Sequence, residues 1–357
     1  MKVLVALSGG VDSSVAAAEL IAAGHEVVGI TMRLWGGESD TGCCSIADVD
    51  DARRVAQQLG IDHLVFNFTE DFDRHVVEPY VEAHRQGITP NPCIECNRHL
   101  KFDRLAERAD LLGFDAVATG HHARIVHHDG LPWVGRGIDE AKDQSYVVHM
   151  LPGRELARTL FPIGHLTKAE VRARATALGL RTAAKPDSQD VCFITHEGGR
   201  ERFLGDRIPF SRATVVDVAT GERVGEVDAV EMVTVGQRRG LGLPGGGPKQ
   251  FVVAIDHETA VVSVGDESLL STVTTEVGAT TWPYLAPAEG SVVEALVQCS
   301  AHGEAVPARV RVGVRGSAEV EWDEPHRIVS PGQTVVFYDL DGDRVLGGAV
   351  VQPPRRG

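Results

Sequence analysis

The chain is short of the features that most directly fix a protein's setting. Its 357 residues include six cysteines, Cys43, Cys44, Cys93, Cys96, Cys192 and Cys299, too few for a disulfide scaffold. Cysteines this sparse are buried small hydrophobes, metal ligands or reactive thiols. No apolar run approaches the roughly 20 residues of a membrane span. The opening "MKVLVALSGG" is apolar too briefly for a signal peptide and meets glycines at once. It predicts a buried strand and a cytoplasmic protein. Positive charge is scarce: 35 Lys and Arg face 50 Asp and Glu, a net charge of −15. Alone, that balance argues against nucleic acid, whose binding rests on Lys and Arg against phosphates. A local basic face on an acidic protein remains compatible with it. The rest, 43% hydrophobic and 24% charged, is an ordinary globular composition. The length suits two or three domains.

Strand and helix signals alternate at the start. "KVLVAL", "EVVGITMRL", "DHLVFNF" and "DAVATG" read as strands. "VDSSVAAAELIAAG", "IADVDDARRVAQQLG" and "KFDRLAERADLLGF" read as helices, the first two closed by Gly24 and Gly60. Strands separated by such helices predict a doubly wound parallel sheet, with ligands at the carboxyl ends of its strands. Ser8 to Ser14, Met32 and Gly120-His121 should therefore share one rim. "TKAEVRARATALGL" predicts a helix with Thr167 as N-cap and Glu170 completing a capping box. Beyond about residue 205, short β-branched runs are split by glycine and proline, and Thr220-Gly221 and Asp341-Gly342 mark hairpin turns. The expected organisation is an α/β domain over 1–204, then two small β-rich domains over 205–275 and 276–357.

"LSGGVDSS", Leu7 to Ser14, has a phosphate loop's glycines and hydroxyls without the lysine of GxxxxGK[ST]. Gly9 and Gly10 admit phosphate to backbone N–H groups, and the helix from Val11 adds its positive end. Ser8, Ser13 and Ser14 add hydroxyls. Asp12 would be repelled by a triphosphate and makes sense as a ligand of the Mg²⁺ that ATP carries. A loop without the γ-phosphate lysine is not built for γ-phosphoryl transfer. Gripping the pyrophosphate end would instead open the α-phosphate to attack, releasing AMP and pyrophosphate.

"TPNPCIECNRHLKF" carries a C-x-x-C and "KPDSQDVCFI" carries Cys192. Three readings stand. Zinc would need further thiols, and the adjacent Cys43-Cys44 chelate poorly. Inert packing suits Cys299, and Cys43 and Cys44 as well. The third is sulfur or acyl chemistry: Cys96 precedes Arg98 and Lys101, whose charge favours a thiolate, and two cysteines on separate loops could carry sulfur and resolve a disulfide.

"LSGGVDSS", "NPCIECNRHLKF", "ATGHHARI", "KDQSYVVHML", "FPIGHLTKAEVR", "KPDSQDVCFI", "VGQRRGLGLPGG" and "PGQTVVFYD" follow one another as in the tRNA-specific 2-thiouridylases, the MnmA/TrmU family, which the chain resembles over essentially its whole length. The resemblance implies an adenine nucleotide alpha hydrolase-like N-terminal domain of the ATP pyrophosphatase type and a C-terminal β-barrel-like domain. It implies that the 2-oxygen of the wobble uridine of tRNA is adenylated and then replaced by sulfur, with ATP and Mg²⁺ as cofactors and a persulfide-carrying sulfur-donor protein as partner. Cys192 would hold the persulfide and Cys96 would be the second catalytic thiol, acting as nucleophile to free the sulfur or to close a Cys96–Cys192 disulfide. ATP would lie against Ala6, Leu7, Ser8, Gly9, Gly10, Val11, Asp12, Ser13, Met32 and Gly120. Asn91, Pro92 and Cys93 would touch the target base. His121, Lys142, Asp143, Gln144 and Gln333 would meet tRNA. Many members have Asp where this chain has Cys93, an extra thiol that could serve as metal ligand or as rival to Cys96. Many also carry an Arg-Tyr pair where this chain reads "VQCSAHGEAVPARV", for which Arg309 or Arg311 are the substitutes.

Three basic stretches, "KAEVRARATALGLR", "GQRRGLGLPGGGPKQ" and "NRHLKFDR", could build a tRNA cradle with the acidic charge turned away. The rival readings are another ATP pyrophosphatase, such as an amide ligase or small-substrate synthetase, and a non-catalytic thiol or zinc module that binds RNA.

Overall fold

A computed structural model describes residues 1–36, 46–187, 191–195, 198–243 and 247–353. Cys43 and Cys44 lie outside the described residues, as do Ser188 to Asp190. Strand β1 (Lys2–Ala6) has no polar face, and Val3, Leu4 and Val5 are fully buried. It runs through a parallel sheet with β2 (Glu26–Arg33), β3 (His63–Asn67), β4 (Ala116–Ala118) and β7 (Thr159–Leu160), in the order β3-β2-β1-β4-β7. The chain turns from one side of the sheet to the other between β1 and β4, the place where such sheets open a ligand crevice. Helix α1 (Val11–Ala22) lays Ala17 and Leu20 against Val3 and Val5. Its opposite flank packs Val11 and Val15 on Val171 and Ala175 of α5 (Lys168–Ala177). Helix α2 (Ile46–Leu59) covers the same face as α1, with Ala52 and Ala56 in that core. The capping box at Thr167 and Glu170 forms as expected.

Helices α3 (residues 69–85) and α4 (residues 92–111) each contain a π-helical stretch, Asp73–Val77 and Cys96–Arg104. Such widened turns concentrate at functional sites. A hairpin of β5 (Ala123–His128) and β6 (Leu131–Arg136) follows β4. Neither it nor the two-residue β7 announces itself in the hydrophobic pattern.

The next sheet has the order β10-β11-β8-β9, from β8 (Ala213–Asp217), β9 (Arg223–Val227), β10 (Phe251–Asp256) and β11 (Val261–Gly265). The last element is a closed barrel. It is built from β12 (Ser271–Thr281), β13 (Val292–Gln298), β14 (Ala305–Val312), β15 (Ala318–Arg327), β16 (Thr334–Tyr338) and β17 (Val345–Val351). The glycines of both marked turns, Gly221 and Gly342, take positive φ. The expected division near residue 275 falls inside β12, so it would cut a barrel strand paired to both β15 and β17.

The barrel is fused to the first domain through a shared core. Ile94, Phe102, Tyr146 and Val148 pack with Val336, Tyr338 and Val345. Arg136 lies over the Tyr338 ring at 3.8 Å and donates to Asp143 (2.8 Å), Gln298 (2.8 Å) and the Gly342 carbonyl (2.7 Å). Buried guanidinium donors of this kind are costly to leave unmatched.

Gly120, just past β4, touches the first turn of α1. A Cβ there would lie 2.6 Å from the Ser13 nitrogen and 2.8 Å from the Asp12 carbonyl carbon. Gly120→Ala is expected to lower stability by about 2 kcal/mol. Gly24→Ala, strained in φ but facing open space, is expected to cost about half that. Thermal unfolding of both variants measures the difference, and equal losses would disprove the close approach.

Candidate active site

The carboxyl ends of β1, β2 and β4 open into a cavity of about 590 Å³. Ala6, Leu7, Ser8, Gly10, Val11, Asp12, Ser13, Met32 and Gly120 line it, as do Pro92, Cys93, Cys96, His121, Lys142, Asp143, Gln144 and Cys192. The predicted rim therefore exists. Of the residues proposed from the sequence for the loop, the base and the tRNA contacts, Gly9, Ser14, Asn91 and Gln333 do not line it; Ser14 is buried, bonded to the Gly10 carbonyl and Thr182.

The loop is shaped from within. Helix α1 has Gly10 as N-cap with no side-chain cap on its N–H groups, which leaves them for an anion. Ser13 accepts from the Ser8 nitrogen (3.1 Å), and the Ser14 hydroxyl donates to the Gly10 carbonyl (2.7 Å). Gly9 has φ +74°, and a Cβ there would meet the Asp48 carbonyl oxygen at 2.4 Å.

The cations this loop lacks arrive from more than 150 residues away. Lys168 donates to both oxygens of Asp12 at 2.7 and 2.8 Å and also reaches Asp187 at 2.8 Å. Lys185 donates to the Gly9 carbonyl (2.9 Å), Asp48 (2.6 Å) and Asp51 (2.8 Å). Burial works against the Asp12 carboxylate, but His122 and Lys168 overcome it and hold its pKa below the ordinary value. Asp187 behaves alike: burial opposes its charge, yet Lys168 and Lys142 bring its pKa down to about 2. Sequence reasoning passed over Lys168 and Lys185 as site residues. A signal was present. The chain has only six lysines, and Lys101, Lys142, Lys168 and Lys185 all line this cavity.

The thiols approach from two sides. Asn91 accepts from the Cys93 nitrogen (3.1 Å) and caps α4, with Pro92 in its first turn. This fixes the "NP" pair as a helix start and makes Asn91 a holder of Cys93. Cys93 is exposed, while Cys96 is buried at the head of the π-helical stretch. Cys192 is half-buried. Its neighbour Phe193 anchors it, packed edge-on to Phe72 and Tyr80 and against Phe203. Cys96 and Cys192 belong to one apolar cluster. The four described cysteines are thiols. Among the described residues, no group of three or more His, Cys, Asp or Glu is placed to hold a metal.

Several residues expected to meet tRNA have other partners. Asp143 is buried and accepts from Arg136, the Gly137 and Ser145 nitrogens and the Ser145 hydroxyl, so its carboxylate braces the wall. Gln144 accepts from the His122 nitrogen at 2.9 Å. His121 is buried and neutral: burial, Lys101 and His122 push its pKa well down. Lys142 faces the cavity and pairs with Asp187 at 2.9 Å. Gln333, in the barrel, donates to the Thr89 carbonyl (2.5 Å) and so holds the loop leading to Asn91. The barrel also sends Ala301 and His302 to the cavity wall, which sequence reasoning missed.

The basic stretches divide. In 168–181, Lys168, Arg172, Arg174 and Arg181 all pair with carboxylates, those of Asp12, Asp187, Glu19 and Asp51. That helix is therefore no free basic face. In "NRHLKFDR", Arg98 pairs with Glu95 and Arg104 with Asp71 and Glu107. Arg309 and Arg311 pair with Glu321 across the barrel strands. Arg238, Arg239 and Lys249 are exposed.

An open parallel sheet with a glycine-serine loop at its switch point, and thiols lining the same cavity, defines the class as a doubly wound α/β domain with its ligand crevice at the carboxyl ends of the strands. Family profiles match residues 1–196 as a tRNA methyl transferase HUP domain, 201–266 as a tRNA methyl transferase PRC-barrel domain and 274–351 as an aminomethyltransferase β-barrel domain. A protein of Chloroflexus aurantiacus described as tRNA-specific 2-thiouridylase MnmA is 46% identical over 99% of this chain and 98% of its own length. One of Mycolicibacterium vanbaalenii with the same description is 46% identical over 99% of this chain and its whole length. Among solved structures, a 4-thiouridine synthetase–RNA complex with bound ATP is 18% identical, with a TM-score of 0.35, over 54% of this chain and 44% of that one, too slight a likeness to carry weight. The chain belongs to the tRNA-specific 2-thiouridylase family.

Burial pushes the Cys299 thiol up to about 12, roughly a thousandfold less thiolate than an ordinary cysteine at equal pH. Alkylation at pH 8 followed by peptide mapping is expected to label Cys93 readily and leave Cys299 untouched. Comparable labelling of the two would refute the burial.

Proposed function

We propose that the chain is an ATP-dependent tRNA-uridine 2-sulfurtransferase that converts the wobble uridine to 2-thiouridine. The observation that carries this reading is that Cys96 and Cys192 line the same cavity as the phosphate loop. Methyl transfer, the term in two of the profile descriptions, has no use for a phosphate loop beside two thiols.

With the loop's N–H groups and Lys168 on the pyrophosphate end, the uridine O2 attacks the α-phosphorus and pyrophosphate leaves. Asp12 is the loop's carboxylate for Mg²⁺, which would share it with Lys168 and His122. The terminal sulfur of a Cys192 persulfide, loaded by a donor protein, then adds to C2, and AMP departs with the former O2. The Cys96 thiolate attacks the Cys192 sulfur, breaking the sulfur–sulfur bond. The products are 2-thiouridine and a Cys96–Cys192 disulfide that an external dithiol reduces. Cys96 opens the π-helical stretch of α4, and Lys101 of the same stretch lines the cavity with it. Pro92, Cys93 and His121 face the base. Asn91, Asp143, Gln144 and Gln333 hold the walls that present it.

A single-turnover assay with ATP, unmodified tRNA and enzyme preloaded from a persulfide donor tests the chemistry. AMP, pyrophosphate and 2-thiouridine are expected in equal amounts, and ADP would overturn the scheme. Cys192→Ser and Cys96→Ser are each expected to lower thiolation by more than about a hundredfold, whereas an amide ligase would keep its activity.

Phosphate contacts make RNA affinity fall with salt. Replacing both Arg238 and Arg239 by Ala is expected to weaken tRNA binding and to reduce the slope of log affinity against log salt by about 2. An unchanged slope would remove the 237–250 loop from the interface.

A further inference from the structure

We infer that Asp187 is a positioning residue that ties occupancy of the phosphate loop to the placement of Cys192. The inference rests on the proposed reading of that loop as the ATP site. Asp187 and Cys192 lie five positions apart in sequence and line the same cavity. The Asp187 carboxylate meets three cations: Lys142 at 2.9 Å, Lys168 at 2.8 Å and Arg172 at 2.8 Å. Lys168 is the shared member, because its other two contacts go to Asp12 in the loop. An ammonium has three N–H donors, and Lys168 has three carboxylate oxygens around it. Its side chain is only 12% exposed, so water offers little relief. A phosphate oxygen can gain that lysine only by displacing one of the three.

The two carboxylates are not equally placed to yield. Asp12, losing Lys168, would keep only His122 at 3.3 Å. Asp187 would keep Lys142 and Arg172. An arriving polyphosphate therefore releases Asp187 at the lower cost, and Asp187 then settles on its two remaining cations. The chain that carries Cys192 is re-anchored by that exchange. Lys185 is engaged by three acceptors as well, but all of them lie in the loop and α2, so it transmits nothing to Cys192. The coupling is reciprocal, as linkage requires: weakening the hold of Asp187 on Lys168 favours nucleotide.

Two measurements on the full chain test this: affinity for a non-hydrolysable ATP analogue, and the rate of Cys192 alkylation with and without it, read by peptide mapping. In the native protein the analogue is expected to change the Cys192 rate by about threefold or more. In Asp187→Asn, the analogue should bind several-fold more tightly and the Cys192 rate should no longer respond to it. Asp187→Glu, which keeps the charge, should restore the response and so separates positioning from misfolding. The inference is overturned if Cys192 in the native protein ignores bound analogue, or if Asp187→Asn keeps the full response or binds more weakly. Failure of the native protein to bind the analogue at all would instead refute the ATP site itself.

Discussion

The governing constraint is a shortage of mobile positive charge around a site that must hold polyphosphate. The phosphate loop has no lysine of its own, and the chain has six in all, four of them in one cavity. Each of the two that reach the loop is surrounded by three acceptors. Such ammonium groups do not wander. They cross-link the loop to segments far away in sequence, and Lys168 holds the pKa values of Asp12 and Asp187 down against the burial that opposes their charge. The cavity is thus wired before any ligand arrives, and a ligand enters by exchange rather than by filling vacant charge.

The same economy explains why the acidic surface and an anionic substrate coexist. Arginines of the amphipathic helix after Thr167 are spent on internal carboxylates, and those on the barrel flank on cross-strand ones. Arg238, Arg239 and Lys249, in the glycine-rich stretch before β10, stay exposed instead, and a local cluster of this kind is compatible with an acidic whole.

Local structure was legible in the residues themselves. The buried strand "KVLVAL", the alanine-rich helix after the glycines and the capping box at Thr167 depend on spacing and composition, which a sequence displays. The gathering of the phosphate loop, Met32, Cys96 and Cys192 on one rim followed from strand order and from family resemblance. What escaped was pairing at a distance. A row of cations in 168–181 looks like a docking face until Asp12, Glu19, Asp51 and Asp187 are seen opposite it. Asp143 and Gln144 look like polar surface until Arg136 and Ser145 are seen around the one and the His122 nitrogen against the other. The division placed near 275 falls inside threonine-rich β12, whereas Gly265 and the turn at Glu267–Leu270 stand just before that strand. Lysine rarity was the overlooked clue, since a scarce residue type is rarely spent at random.

The grip of the barrel on the first domain also sets the timetable of synthesis. Gln333, Tyr338 and Asp343 leave the ribosome long after the segments they brace. Until then the Thr89 carbonyl, the Ser145 hydroxyl and Arg124 lack their final partners. The parallel sheet can condense early, as N-terminal domains do, but the helix bearing Cys93 and Cys96 stays unbraced. The thiols of Cys93 and Cys96 thus reach their final setting only once the barrel has closed against the first domain.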